Sequence, residues 1–395
     1  MHVASVNPAN SSLPATRGLP PGITYVDTDS ELFQWFSQLG SENLLALDTE
    51  AASFHRYQDR VYLIQLSTRS RTALIDPIGV TDLSLVGRLL ADPDIEIVFH
   101  DADYDLRLLD RDLGFRACRL FDTRIAAQLL REPGVGLAAL LAKYFDLKVD
   151  KRFQRADWSA RPLSNEMLAY AATDTHHLLA LRDILKERLS SVGRLTWAEE
   201  EFRLLEQVRW TTREDAETGF LRIKGARTLP PQQLAVLREL YAWREATARK
   251  RDRAPFRILN NQVLLQLALS PPGSAAELGR VVGVGPETVR RNGKAILAAL
   301  KRGLHTEEKD LPRVKRSSKP KPDPEFDRRL ERLKATRNGV AQRLDLEPGV
   351  VCPNATLEAI ATTEPATMEQ LVAVPAVREW QAAEFGEELL AASCG

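Results

Sequence analysis

The chain has 395 residues, 44% hydrophobic and 27% charged, with 54 Lys and Arg balanced by 54 Asp and Glu. That length exceeds one typical domain, and the composition excludes a disordered or fibrous chain. Cys118, Cys352 and Cys394 stand far apart without C-x-x-C spacing, which excludes a zinc motif and a disulfide framework and fits a reducing cytoplasm.

Residues 1–22 are polar, lack the charged start and apolar core of a signal peptide, and read as a flexible leader on a cytoplasmic protein. No apolar run approaches membrane-spanning length, so no membrane partner is expected. A helix is predicted over about Asp29 to Leu39. Asn43–Asp48 is a short apolar run suited to a buried central strand, and Val61–Leu66 and Thr72–Ile75 read as two more strands. After a helix comes a fourth strand, Ile95–Phe99, and helical periodicity begins at Ala102. Residues 121–189 read as helical apart from a loop around Lys151 to Pro162. Strands first, then a βα unit and helices, predict a mixed sheet flanked by helices over residues 23–200.

Residues 201–228 read as a connector. Residues 229–303 are helical, with an apolar stripe of Leu234, Leu237, Leu240, Tyr241 and Trp243. A linker at 304–324 is rich in Lys, Arg, Pro and Ser. Residues 325–392 are helical again and resemble a degenerate copy of the preceding module: Asn292–Ala299 aligns with Phe385–Ala392, each after an apolar turn. An internal repeat of two all-α modules is predicted. Charge separates them. Residues 229–303 hold thirteen Lys and Arg against five Asp and Glu, whereas 325–392 hold seven against twelve. Arg249, Lys250, Arg251, Arg253, Arg290, Arg291 and Lys294 form a candidate phosphate-binding footprint, with a merely solvated basic face as the other reading. The acidic module is expected to be structural.

Three short patterns carry chemistry. In Asp48-Thr-Glu50, strand alternation sends both carboxylates to one face, which is unfavourable unless a cation compensates them. In Val98-Phe-His-Asp-Ala-Asp-Tyr-Asp105, the last acid falls one to two turns into a helix. In Tyr170-Ala-Ala-Thr-Asp174, phenol and carboxylate share a helix face at i and i+4. Each alone is weak; together they form the oxygen-only donor set that Mg²⁺ and Mn²⁺ prefer. Two such ions serve both the attacking and the leaving oxygen of a displacement at phosphorus. His100 is a candidate for the substrate cleft or for a structural role, and Gln65 and Tyr62 are candidates to face a nucleotide or are ordinary sheet residues.

The order D-x-E, D, Y-x-x-x-D resembles the DEDD exonuclease superfamily, on its ribonuclease H-like fold, in the subclass with tyrosine. The sister subclass carries histidine five residues before the last acid, where this chain has Ala169. The stretch Lys151-Arg-Phe-Gln-Arg-Ala-Asp-Trp-Ser-Ala-Arg-Pro-Leu163 resembles the signature of the ribonuclease D family, and the two helical modules resemble HRDC domains. The resemblance implies a 3′→5′ exoribonuclease releasing nucleoside 5′-monophosphates. It would act as a monomer on RNA with a free 3′ end, tRNA precursors above all, with two Mg²⁺ or Mn²⁺ ions. It further implies that Asp48 touches both ions, that Glu50 and Asp174 complete the first and Asp105 the second, and that Tyr170 orients the attacking water. Two alternatives are a DNA 3′→5′ exonuclease in repair and a catalytically silent RNA-binding adaptor. The adaptor would be expected to have lost a motif position, and all five are intact.

Overall fold

A computed structural model describes residues 18–150, 152–211, 218–314 and 323–394. Most of the expected leader, Lys151, and parts of the connector and the basic linker lie outside the described residues. The chain forms two compact units, one from Met1–Ala51, Val61–Trp210 and Pro324–Gly395, the other from Ala52–Arg60 and Thr211–Asp323.

The first unit is built on a six-stranded mixed sheet of order β1-β4-β3-β2-β5-β6. Its strands are β1 (Ile23–Val26), β2 (Leu44–Ala51), β3 (Val61–Ser67), β4 (Thr72–Ile75), β5 (Glu96–Phe99) and β6 (Leu120–Asp122). Only β3 runs antiparallel to its neighbours; β1–β4, β2–β5 and β5–β6 pair in parallel. Leu45, Ala46 and Leu47 are buried together, as a central strand covered on both faces requires. β2 runs three residues beyond the end that its apolar run predicts at Asp48. The two edge strands, β1 and β6, carry no signal in the sequence: four and three residues are too short to display a period.

Helices α1 (Asp29–Ser37), α2 (Ser84–Leu90), α3 (Asp103–Leu113), α4 (Thr123–Leu129), α5 (Leu137–Phe145), α6 (Asn165–His176), α7 (Leu178–Ser191) and α8 (Leu195–Leu205) surround this sheet. α6 lies on β2, β3 and β4, where its Leu168, Ala171 and Ala172 pack with Leu63, Leu74, Tyr25 and Trp158.

The second unit holds α9 (Pro231–Arg251), α10 (Pro255–Ile258), α11 (Asn261–Leu269), α12 (Ala275–Leu278) and α13 (Pro286–Leu304). Leu234, Leu237 and Leu240 of the predicted stripe are buried with Leu264, Leu267, Ile296 and Leu300, while Tyr241 and Trp243 are half-buried against them. The segment Ala52–Arg60, which continues from β2, belongs to this unit. The Ala254 amide donates to the His55 carbonyl at 3.2 Å, Arg56 pairs with Asp252 at 3.2 Å, and Phe54 meets Phe256 edge-on at 6.1 Å.

The first unit ends with α14 (Pro324–Leu344), α15 (Pro348–Val351), α16 (Asn354–Thr363), α17 (Met368–Val372) and α18 (Glu379–Cys394). The succession long, short, medium, short, long repeats that of α9–α13, so the internal repeat extends to structure. The acidic module docks on α8. Trp197 and Trp380 stack at 4.6 Å, Arg378 pairs with Glu201 at 3.0 Å, and Glu200 accepts from the amides of Glu379 and Trp380 at 2.7 and 3.0 Å. Arg194 donates to the Leu344 carbonyl, and Arg131 pairs with Asp345. Among the described residues no helix is long and apolar enough to cross a membrane.

Candidate active site

Asp48 and Glu50 sit near the C-terminal end of β2, beside β3 on one side and β5 on the other. Alternation along the strand directs both carboxylates to one face. Asp105 arrives from α3, whose entry turn is fixed from β6. There Asp122, almost wholly buried, accepts from the amides of Asp101 at 3.2 Å and Ala102 at 2.8 Å. It also caps α4 through the amides of Arg124 at 2.8 Å and Ile125 at 3.1 Å. Asp105 is buried and accepts a hydrogen bond from the Thr49 hydroxyl, between the two acids of β2. Tyr170 and Asp174 come from α6, started by Ser164, whose hydroxyl accepts from the Met167 amide at 3.2 Å. Thr175 on the same helix bonds Ser67 of β3 at 2.7 Å, fixing the helix rotation over the sheet.

Electrostatics show that the four acids form one group. Burial pushes the Asp48 carboxyl well above the usual carboxylate range, and the charges of Asp105, Asp174 and Glu50 push it further. Glu50 is raised by burial, then by Asp174 and Asp105. Burial lifts Asp105 to about 7 against the opposing pull of the Thr49 hydrogen bond, and lifts Asp174 to about 7 against that of Tyr170. Asp48, Tyr170, Asp174 and His100 line one cavity of about 400 Å³, together with Gly136–Ala139, Val149 and Gln154.

This donor set fits a hard divalent cation: all oxygen, half-buried to buried, and mutually repelling without one. Among the described residues no three such side chains close on one point as a ready-made cage. Asp105 is held by the Thr49 hydroxyl.

The loop before α6 supports the tyrosine. Trp158 is fully buried with its ring 6.2 Å from that of Tyr170, and Phe153 stands 5.7 Å away on the same phenol. Arg161 binds both carboxylate oxygens of Asp76, one at 2.8 Å, and donates to the carbonyls of Tyr62 and Trp158 at 2.7 Å each. Burial, then Asp174, Glu50 and Asp48, raise the Tyr170 phenol above its ordinary value, so it is a hydrogen-bond donor at neutral pH.

His100 lies on the cavity wall with Nδ1 2.9 Å from the Thr123 hydroxyl. Burial and then Arg124 bring it down to about 4, so it offers a neutral imidazole rather than a cation. Gln65 is wholly buried and does not line the cavity.

The predicted basic residues all fall in the second unit, and all are exposed. Arg249 stacks on Tyr57 at 5.4 Å, Arg251 donates to Asn292 at 2.8 Å, and Arg290 and Arg291 share Glu287. Arg251, Arg253, Arg257 and Arg291 line a cavity of about 460 Å³ whose single acid is Glu287. Lys250 and Lys294 are exposed on the same unit. Sequence reasoning missed Asp76, Asp122 and Thr49. For Asp122 a signal existed, an Asp immediately before the helical Thr-Arg-Ile run, the usual N-cap position.

The 3′→5′ exonuclease family matches residues 23–190, and the HRDC domain matches residues 233–300 and 326–392. Ribonuclease D of Gluconacetobacter diazotrophicus is 31% identical over 379 residues, covering 95% of this chain and 94% of that protein. The crystal structure of Escherichia coli RNase D, an exoribonuclease involved in structured RNA processing, has a TM-score of 0.68 at 26% identity. That match covers 94% of this chain and 98% of the other. The catalytic core of RRP6 from Trypanosoma brucei has a TM-score of 0.64 at 33% identity, covering 72% and 81%. With its exonuclease fold, its two HRDC modules and these relatives spanning nearly its whole length, the chain belongs to the ribonuclease D family and is a 3′→5′ exoribonuclease.

Proposed function

We propose that the protein trims RNA from its 3′ end, one nucleotide at a time, with Asp48, Glu50, Asp105 and Asp174 holding two divalent cations and Tyr170 orienting the attacking water. The observation that carries this reading is the group of four raised carboxylates, two of which share a cavity with Tyr170. Bound there, a pair of Mg²⁺ or Mn²⁺ ions supplies Lewis acidity to both sides of the phosphorus. Asp48 would contact both, Glu50 and Asp174 complete the first site, and Asp105 serves the second.

Tyr170 keeps its proton at neutral pH and donates to the oxygen of the water, aligning a lone pair with phosphorus. A phenol so held is an orienting group, not a general base. The water–phosphorus bond forms as the bond to the neighbouring 3′ oxygen breaks, the leaving oxygen ends protonated, and a nucleoside 5′-monophosphate departs. His100 contributes a neutral polar wall. The arginines of α9, α10 and α13 hold the phosphates of the remaining strand, a role supported by the excess of positive charge around their cavity. A 3′-extended tRNA precursor is the substrate we assign, acted on by a monomer in the cytoplasm, as the family resemblance implies.

Purified protein incubated with such a precursor and Mg²⁺ should release nucleoside 5′-monophosphates, resolved by chromatography, and chelator should abolish the release. Nucleoside 3′-monophosphates, or release undiminished by chelator, would overturn the assignment.

A further inference from the structure

Gln65 lies on β3 directly opposite Asp48 in the antiparallel register. Directly opposed residues project to the same face with Cβ atoms about 5 Å apart. That face continues through Leu63, packed under Ala171 and Ala172, and Ser67, bonded to Thr175. Gln65 therefore lies under the stretch of α6 that carries Tyr170 and Asp174. Its side chain is wholly buried, and neither Nε2 nor Oε1 has a hydrogen-bond partner among the described residues. Burying an amide unsatisfied is costly, whereas Leu or Met of similar volume would carry no such cost among these apolar neighbours. Packing alone gives no reason for an amide here.

We propose that Gln65 is a positioning residue for Asp48: its amide donates to the Asp48 carboxylate when that group holds cations. The inference rests on the assignment of Asp48 as a metal ligand made above. A neutral donor suits the task. It stabilises the carboxylate charge and fixes its rotation, as the outer partners of metal ligands do. A Lys or Arg in its place would bring a positive charge that repels the cations it serves.

The test compares Gln65→Leu and Gln65→Met with the unaltered protein in two measurements: thermal unfolding in chelator, and Mn²⁺ binding by titration calorimetry. Both variants should unfold at or above the temperature of the parent in chelator, yet bind Mn²⁺ at least about tenfold more weakly. The Met variant, unbranched like Gln, covers the case in which Leu does not fold. Variants that lose stability in chelator and bind Mn²⁺ like the parent would make Gln65 a packing residue and overturn the proposal alone. A parent protein that binds no Mn²⁺ would overturn the metal-ligand assignment and this inference with it.

Discussion

Arg161 grips both carboxylate oxygens of Asp76, joining the loop before α6 to the end of β4. Tyr25 donates to the same carboxylate from β1. Because Trp158 and Arg161 belong to one short loop, and Trp158 lies against Tyr170, this ion pair sets the floor of the site although it touches no reacting atom.

Arg161→Ala leaves Asp76 buried with only the Tyr25 hydroxyl and the Ile78 amide as partners, and should cost about 2–3 kcal/mol of stability. Burial alone would raise Asp76, but the bonds from Arg161 and Tyr25 outweigh it and hold the carboxyl below its ordinary value. A depressed carboxylate stabilises the fold above the unfolded-state value, near 3.9, and that contribution disappears as pH falls through the lower folded value. The loss of stability of the parent below about pH 4 should therefore be shallower in Arg161→Ala, measured by chemical denaturation across pH.

Tyr170→Phe keeps the ring between Phe153 and Trp158 and removes only the hydroxyl. We expect kcat to fall about a hundredfold with KM and melting temperature nearly unchanged. Steady-state kinetics on a 5′-labelled RNA would show it; an unaltered kcat would remove Tyr170 from the orientation of water.

The raised carboxylates predict the behaviour of the metal-free protein. Groups whose folded values lie above the unfolded ones bind more protons when folded, so stability falls as pH rises from about 4 through about 7. Melting in chelator should show that decline, saturating Mn²⁺ should flatten it, and apparent Mn²⁺ affinity should increase over the same interval as protons are displaced. Asp174→Asn should raise the chelator melting temperature at about pH 8, where the parent's Asp174 is ionised beside the other acids.

Arg253→Ala with Arg291→Ala removes two of the four arginines around the second unit's cavity. Binding of single-stranded RNA should weaken, and the slope of log K against log salt should become shallower by about 0.7 for each phosphate no longer neutralised. Cleavage of a dinucleotide, whose single phosphodiester is the scissile one, should be unaffected.

Much of the site was legible because its chemistry is local. A D-x-E on an apolar run and a Y-x-x-x-D on a helix encode their own geometry through periods of 2 and 3.6 residues. What escaped depends on partners far away in sequence. β1 and β6 exist because β4 and β5 offer parallel edges, not because four and three residues prefer to be strands. Nothing local in its loop tells Arg161 which acid to bind; only the fold selects Asp76, 85 residues earlier. The docking of the acidic module on α8 through Trp380 and Arg378 is likewise invisible to periodicity.

The most direct test follows a 5′-labelled, 3′-extended tRNA precursor on a sequencing gel with Mg²⁺, comparing the parent protein with Asp174→Ala. The parent should give a ladder shortening stepwise from the 3′ end, and the variant should leave the precursor intact. Equal shortening by both, or internal cleavage in place of a ladder, would contradict it.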